Sequence, residues 1–192
     1  MDFKKKMNYI KITKNDIANG EGIRCVLWVS GCDVRCKGCH NPGTWDFDAG
    51  QPFDETAMEE LIQALSRPWV RGLTLSGGHP LAYNNLPAVY EVCKAVRERL
   101  PEKDIWLYTG YTLKPNAFDN NVDIGFDNAL LRNHILAMCD VVVDGEYVEA
   151  LRDISLKFRG SSNQRIIDVK QTIQSKEICI WEGQNRRNLE IK

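Results

Sequence analysis

The 192-residue sequence lacks an excess of charge of either sign: 25 Lys and Arg stand against 26 Asp and Glu, a net charge of −1. Without an overall basic field there is no electrostatic footprint for a nucleic-acid backbone. The local pair Arg186-Arg187 reads as part of a solvated tail. Long apolar runs are missing as well. The longest are strand-sized, well short of the ~20 residues that a membrane-spanning helix needs. Lys4 to Lys6 resemble the charged start of a secretion signal, but no apolar run of about 7–15 residues follows them. Met7 can serve as an alternative start, which makes residues 1–7 a loose extension. A cytoplasmic protein without membrane or nucleic-acid partners is expected. Internal repeats and low-complexity segments are also absent, and the length suits one domain.

Cysteine is not scarce, but its arrangement excludes a disulfide scaffold. The count is seven, an odd number, and three of the seven crowd into one loop. A reducing cytosol works against disulfides in any case. Cys25, Cys93, Cys139 and Cys179 are scattered over strand-like and helix-like runs and read as packing residues. His134 falls mid-helix and reads the same way.

Strand-like and helix-like runs alternate along the chain. RCVLWVS (24–30) is short and rich in Val, Leu and Trp, which predicts a buried strand. DETAMEELIQAL (54–65) spaces Met58, Leu61, Ile62 and Leu65 for one helix face, with Asp54 or Thr56 as N-cap and Glu59 completing a capping box with Thr56. GLTLS (72–76) predicts a second strand closed by Gly77-Gly78. NLPAVYEVCKAVRERL (85–100) predicts a helix capped by Asn85. DIWLYTG (104–110), DVVVDG (140–145) and EICIW (177–181) read as strands, and DNALLRNHILAM (127–138) as a helix. The residues from about 170 to 192 read as a C-terminal tail. This order argues for an α/β fold with a mostly parallel sheet. Its strands end on one rim, where ligands bind. The unusual sequences follow strand ends: the cysteine loop, GGHP, TGY and DGEY. They should converge on one mouth.

The loop SGCDVRCKGCHNP (30–42) admits three cofactors. Cys36-Lys37-Gly38-Cys39-His40 spells the attachment pattern of c-type haem. That reading leaves Cys32 without a purpose and fits poorly with a cytoplasmic protein. Cys32, Cys36, Cys39 and His40 supply four candidate zinc ligands, but Cys39 and His40 are adjacent. Structural zinc sites usually draw a second pair from a distant knuckle, and no other C-x2-C or H-x3-H pair exists in the chain. Read as C-x3-C-x2-C, the three thiolates suit three corners of a [4Fe–4S] cluster, with the fourth iron open to a small molecule.

This loop, after the first good strand, and a Gly-Gly turn after the second resemble the signature of the radical S-adenosylmethionine (SAM) superfamily. The resemblance implies a partial (β/α) barrel spanning residues 1–192 as a single domain. It implies Cys32, Cys36 and Cys39 as iron ligands, with SAM chelating the open iron. Gly38, Cys39 and His40 are expected to line the SAM site, facing Gly77 and Gly78. Those two lack a Cβ, so their backbone can approach a ligand closely. Asp144 is expected to hold SAM or a cation near its carboxylate. Where the superfamily often has an aromatic residue before the third cysteine, this chain has Gly38. Where it often has Glu after the Gly-Gly turn, this chain has His79.

NGEGIRCVLWVSGC (19–32), GCHNPGTW (38–45), LSGGHPL (75–81), DIWLYTGY (104–111), VVVDGEY (141–147) and FRGSSNQRIIDV (158–169) together resemble the activating proteins of anaerobic (class III) ribonucleoside-triphosphate reductases, over roughly residues 8–169. This implies that reductive cleavage of SAM yields methionine and a 5′-deoxyadenosyl radical, and that the radical takes a hydrogen from a glycine of the large reductase subunit. An electron donor such as a flavodoxin is expected, and a homodimer is admitted. Asn19, Gly20 and Arg24 match the same signature. Thr109 and Tyr111 are expected at the mouth, and RGSSNQR (159–165) against SAM or the partner protein. The alternatives are an activase of the pyruvate formate-lyase type, a small radical SAM enzyme acting on a free nucleobase precursor, and a zinc-stabilised binding module.

Overall fold

A computed structural model of the chain describes residues 7–119 and 128–183. Lys4 to Lys6, Asp127 and Arg186-Arg187 lie outside the described residues. The elements run in the order β1 (Asn8–Asp16), β2 (Arg24–Val29), β3 (Gln51–Pro52), α1 (Glu55–Leu65), β4 (Gly72–Gly77), α2 (Leu86–Arg99), β5 (Asp104–Tyr108), α3 (Asn128–Met138), β6 (Val141–Asp144), β7 (Arg165–Asp168) and α4 (Val169–Ser175).

One seven-stranded sheet has the order β3-β1-β2-β4-β5-β6-β7. Its centre, β2-β4-β5-β6, is parallel throughout. Antiparallel strands flank it: β1 and β3 on one side, β7 on the other. The fold is therefore mixed α/β, and the sheet is open, with β3 and β7 at its edges among the described residues.

The two faces of the sheet are covered differently. Cys25, Leu27, Leu73, Leu75, Ile105, Leu107, Val142 and Ile167 belong to the main core together with the helices. Alternate residues point the other way. Trp106, Val141, Val143 and Ile166 form a smaller cluster with Phe158 and Trp181, so this face is closed by coil rather than by helix. Each fully buried Val, Leu or Ile contributes about 1.5–3 kcal/mol, and α1 alone buries Leu61, Ile62 and Leu65.

The helices follow their sequence signals, with differences at the ends. Asp54, not Thr56, caps α1 by accepting the Ala57 N–H at 2.9 Å. Asn85 stands at the N-cap position of α2 but makes no capping bond; its amide is used in the site described below. Residues 177–181 form a single bridge, Ile167 to Ile180, in place of a strand. β1, β3, β7 and α4 carry no clear signal in the sequence. Met7, placed with the loose extension, is buried in the core. The segment from about 170 does not simply trail. α4 packs its Thr172 inside, and Trp181 lies 5.0 Å from Trp106, ring centre to ring centre.

Among the described residues no helix is long and apolar enough to cross a membrane.

Candidate iron–sulfur and cofactor site

Because β2, β4, β5 and β6 are parallel, their C-terminal ends share one rim, and the segments that follow them meet there. One cavity of about 130 Å³ is lined by Cys32, Val34, Cys36, Cys39 and Trp45 from the cysteine loop. Ser76 to His79, Tyr108 to Gly110, Gly145, Tyr147 and Gln164 complete it. A second cavity of about 350 Å³ adjoins it and shares Cys39, Ser76, Tyr108, Tyr147 and Gln164. The convergence expected from strand order is realised.

The cysteine loop is held by its own backbone. The Gly31 N–H donates to the Thr44 carbonyl (2.8 Å) and the Cys32 N–H to the Trp45 carbonyl (3.1 Å), while the Cys39 N–H donates to the Cys36 carbonyl (3.2 Å). Gly31 has φ +88°, and a Cβ on it would sit 2.0 Å from the Phe47 ring, so the turn out of β2 requires glycine. One sulfur accepts a backbone N–H group: Cys39 from Asn41 at 3.3 Å. Burial pushes the Cys36 thiol above its ordinary pKa, although the Tyr147 N–H works the other way.

Gly77 and Gly78 lie beside this loop. The Gly78 N–H donates to the Val29 carbonyl (2.8 Å), and the His79 N–H to the Gly31 carbonyl (2.7 Å). The Asn85 side-chain amide binds the Ser30 carbonyl at 2.9 Å and the His79 carbonyl at 3.0 Å. This is why Asn85 does not cap its helix.

His79 is 1 % exposed. Its Nδ1 meets the Asp33 carboxylate and its Nε2 meets Thr109 Oγ1 at 2.8 Å. The Tyr111 hydroxyl donates to the other Asp33 oxygen at 2.6 Å. Burial holds the His79 pKa below its ordinary value despite the neighbouring carboxylate. Burial works to raise Asp33, but the hydrogen bonds from Tyr111 and His79 outweigh it and hold Asp33 below the usual carboxylate range. Burial and Asp33 together push the Tyr111 phenol up to about 12.

The three cysteines, Gly77 and Gly78 are brought to one cavity, and His40 lines the adjoining one with its ring 5.3 Å from that of Tyr147. Gly38 and Asp144 are not brought to either. Gly38 has φ +74° and faces the Glu149 side chain. Asp144 is 1 % exposed and is taken up by the Arg165 guanidinium and by the Leu113 N–H at 2.8 Å. Its neighbours Gly145 and Tyr147 line the cavity instead. Arg24 lies away from the site. It is fully buried, donates to Thr74 Oγ1 and the Leu73 carbonyl at 2.6 Å each, and pairs with Asp104. Gly20 packs on it: a Cβ there would stand 2.6 Å from Arg24 Cδ.

The donor set fits an iron–sulfur group. None of the seven cysteines is in a disulfide, and the three loop thiols open onto a common cavity. Among the described residues no three His, Cys, Asp or Glu side chains gather closely enough to hold a single ion. On the cavity wall, the Trp45 indole N–H is buried without a protein partner among the described residues. Such an orphaned donor is costly unless something accepts from it.

A family model described as a 4Fe-4S single cluster domain matches residues 18–167. The anaerobic ribonucleoside-triphosphate reductase-activating protein of Pasteurella multocida is 42 % identical over 162 residues, covering 83 % of this chain and 96 % of the relative. The Escherichia coli K12 protein of that name is 39 % identical over 161 residues, 82 % of this chain and 96 % of the relative. The chain belongs to this activating-protein family. The phage T4 member is 39 % identical over 160 residues, with 83 % and 93 % covered.

The description of the matching family model supports an iron–sulfur cluster in this chain, over the haem and zinc readings. Among the residues that line the cavity, Ser76 and Tyr108 were not singled out in the sequence, whereas Tyr147 and Gln164 fall in the DGEY and RGSSNQR segments expected there. Strand alternation alone marks Ser76 and Tyr108, which share the coil-covered face with Thr74 and Trp106. Gln164 binds back to its own loop, accepting from the Gly160 and Ser161 N–H groups at 2.9 and 3.1 Å and donating to the Gly145 carbonyl at 3.0 Å. It thereby ties RGSSNQR to DGEY.

Proposed function

We propose that the protein generates a glycyl radical on an anaerobic ribonucleoside-triphosphate reductase by reductive cleavage of SAM, within a partial barrel of the radical SAM type. The observation that carries this reading is the sharing of one cavity by the three loop thiols and the Gly77-Gly78 turn. The names of the relatives supply the target. Cys32, Cys36 and Cys39 would hold the cluster through their thiolates, with an open position on it for SAM. Gly77 and Gly78 present backbone to the amino end of SAM, and His40 with Tyr147 flanks its far end.

When bound, a reduced [4Fe–4S] cluster supplies the electron that splits SAM into methionine and a 5′-deoxyadenosyl radical, which takes a hydrogen atom from a glycine Cα and becomes 5′-deoxyadenosine. The chain's residues bind, orient and exclude water: Val34, Trp45, Tyr108 and Tyr147 wall the cavity, and a dry site limits side reactions of a radical. A reduced flavodoxin-like protein is the proposed donor, in a cytoplasmic setting, with a homodimer as the proposed assembly.

The test is anaerobic. The protein is reconstituted with iron and sulfide, reduced and given SAM, and 5′-deoxyadenosine is measured. The anaerobic reductase is then added and a glycyl doublet sought by electron paramagnetic resonance (EPR). A brown protein that forms 5′-deoxyadenosine and the doublet is expected. Cleavage of SAM without a doublet on the reductase overturns the target. A colourless zinc protein indifferent to SAM overturns the whole reading.

A further inference from the structure

Cys32 is the first thiol of the loop, and the next residue is tied down more heavily than the thiols themselves. Both oxygens of Asp33 are occupied by residues from two other strand ends: His79, after β4, and Tyr111, after β5. His79 is also fixed through its main chain, donating to the Gly31 carbonyl and accepting from Asn85. Thr109 completes the set, and one arrangement of protons satisfies every member. Nδ1–H of a neutral His79 donates to Asp33. The Thr109 hydroxyl donates to Nε2 of His79 and accepts from the Tyr111 N–H at 3.2 Å. The Tyr111 hydroxyl donates to Asp33. The Tyr111 ring stands edge-on to His79 at 4.3 Å, and the Arg132 guanidinium covers it at 5.0 Å.

A solvent-facing loop gains nothing from such an arrangement unless its position matters. His79 is almost wholly buried, while the Asp33 side chain is 40 % exposed. The buried partner is thus on the rigid rim, and the exposed one is on the loop that has to be held. The bonds cross from the loop to the rim on the side of Cys32, where the loop's own backbone adds only the bonds of Gly31 to Thr44 and of Cys32 to Trp45.

We infer that His79 and Tyr111 clamp the cysteine loop through Asp33, and that these three act as positioning residues that fix Cys32 against the Gly77-Gly78 turn. The inference rests on the cluster-binding reading above. It adds that cluster retention depends on side chains that touch no iron. Loss of the clamp frees Cys32 to swing outward. The cluster is then released more easily, and the spectrum of what remains broadens.

The experiment uses the reconstituted 192-residue chain under anaerobic conditions. The rate at which a chelator strips iron is measured, together with the EPR spectrum of the reduced protein with and without SAM. The variants are Asp33→Ala, Tyr111→Phe and the double substitution, with Val89→Ala in the α2 core as a control for general destabilisation. Asp33→Ala removes two hydrogen bonds to a charged group and is expected to speed iron loss by at least about ten-fold. Tyr111→Phe is expected to speed it several-fold, with thermal unfolding of the apoprotein little changed. The double variant should be no faster than Asp33→Ala alone, because both act through one carboxylate. Val89→Ala should lower the unfolding temperature without changing the spectrum.

Wild-type release rates and spectra in Asp33→Ala and Tyr111→Phe overturn the clamp. So does acceleration by Val89→Ala equal to theirs at equal destabilisation. A wild-type protein that loads no cluster overturns the underlying reading instead, and the two failures are distinct.

Discussion

Gly78 sits so close to Gly31 that a Cβ added to it would stand 2.5 Å from the Gly31 carbonyl oxygen and 3.0 Å from that of Thr44. Both obstacles are backbone, so neither can move aside cheaply. The turn after β4 and the start of the cysteine loop are fitted to each other through this absent side chain. Gly78→Ala must push the two apart. The expected result is that the apoprotein still folds, with a lower unfolding temperature, while iron content after reconstitution falls to less than about half, since strain of this kind costs on the order of 1–3 kcal/mol locally. Normal iron content in Gly78→Ala would mean that the loop is not registered by this contact.

On the proposed ligand set, removal of a single loop thiol leaves two, too few to hold the cluster. Cys36→Ala is expected to abolish SAM cleavage and the brown colour together. The apoprotein fold is unaffected, because Cys36 is only half-buried and lies in no strand or helix. The check is iron analysis beside the 5′-deoxyadenosine assay. Full cleavage by this variant would remove Cys36 from the ligand set.

How much of this could be read from the sequence differs between elements. The parallel strands announced themselves because burial on both sides demands continuous Val, Leu and Ile, as in VLWV and LTL. β1 did not: NYIKITKND buries only Tyr9 fully, so its Lys and Asp residues mask the pattern. β7 is four residues long, too short for periodicity. The thiol loop was legible from spacing, and its convergence with Gly77-Gly78 from the shared direction of the strands. Asn85 illustrates what was not. The sequence marks it as a helix cap, yet its amide serves two carbonyls of the site, and only a long-range contact reveals that. The pairing of Asp33 with His79, 46 residues apart, is of the same kind.

Asp144 has the sequence context of a ligand-binding residue at a strand end, but its carboxylate is turned toward Arg165. Asp144→Ala leaves a guanidinium that is 32 % exposed and the Leu113 N–H without their acceptor. Allowing for that partial exposure, the loss in stability is about 2–3 kcal/mol, measured by urea unfolding of the apoprotein. If Asp144 instead touched SAM, Asp144→Asn would weaken SAM binding to the reconstituted protein and leave the urea midpoint where it was.

Burial pushes the Cys25 thiol from its ordinary value of 9.0 up to about 12, and the residue is fully shielded near the start of β2. The folded state therefore keeps the proton that the unfolded chain gives up near its ordinary pKa. A group whose folded pKa is raised contributes stability that is fully present below the unfolded pKa and is lost as pH climbs toward the folded one. For Cys25 the window runs from about 9 to about 12. Two outcomes follow for the apoprotein under reductant. At pH 8 a soluble thiol reagent should modify Cys36, Cys39 and Cys179, which are partly exposed, and leave Cys25 untouched until the protein unfolds. Cys25→Val, which fills similar space and cannot ionise, should lose less stability than wild type between pH 9 and pH 11, so that its urea midpoint gains on that of wild type as pH rises. Rapid labelling of Cys25 at pH 8 would place it outside the core, and parallel pH curves for the two proteins would show that its ionisation has no part in alkaline unfolding.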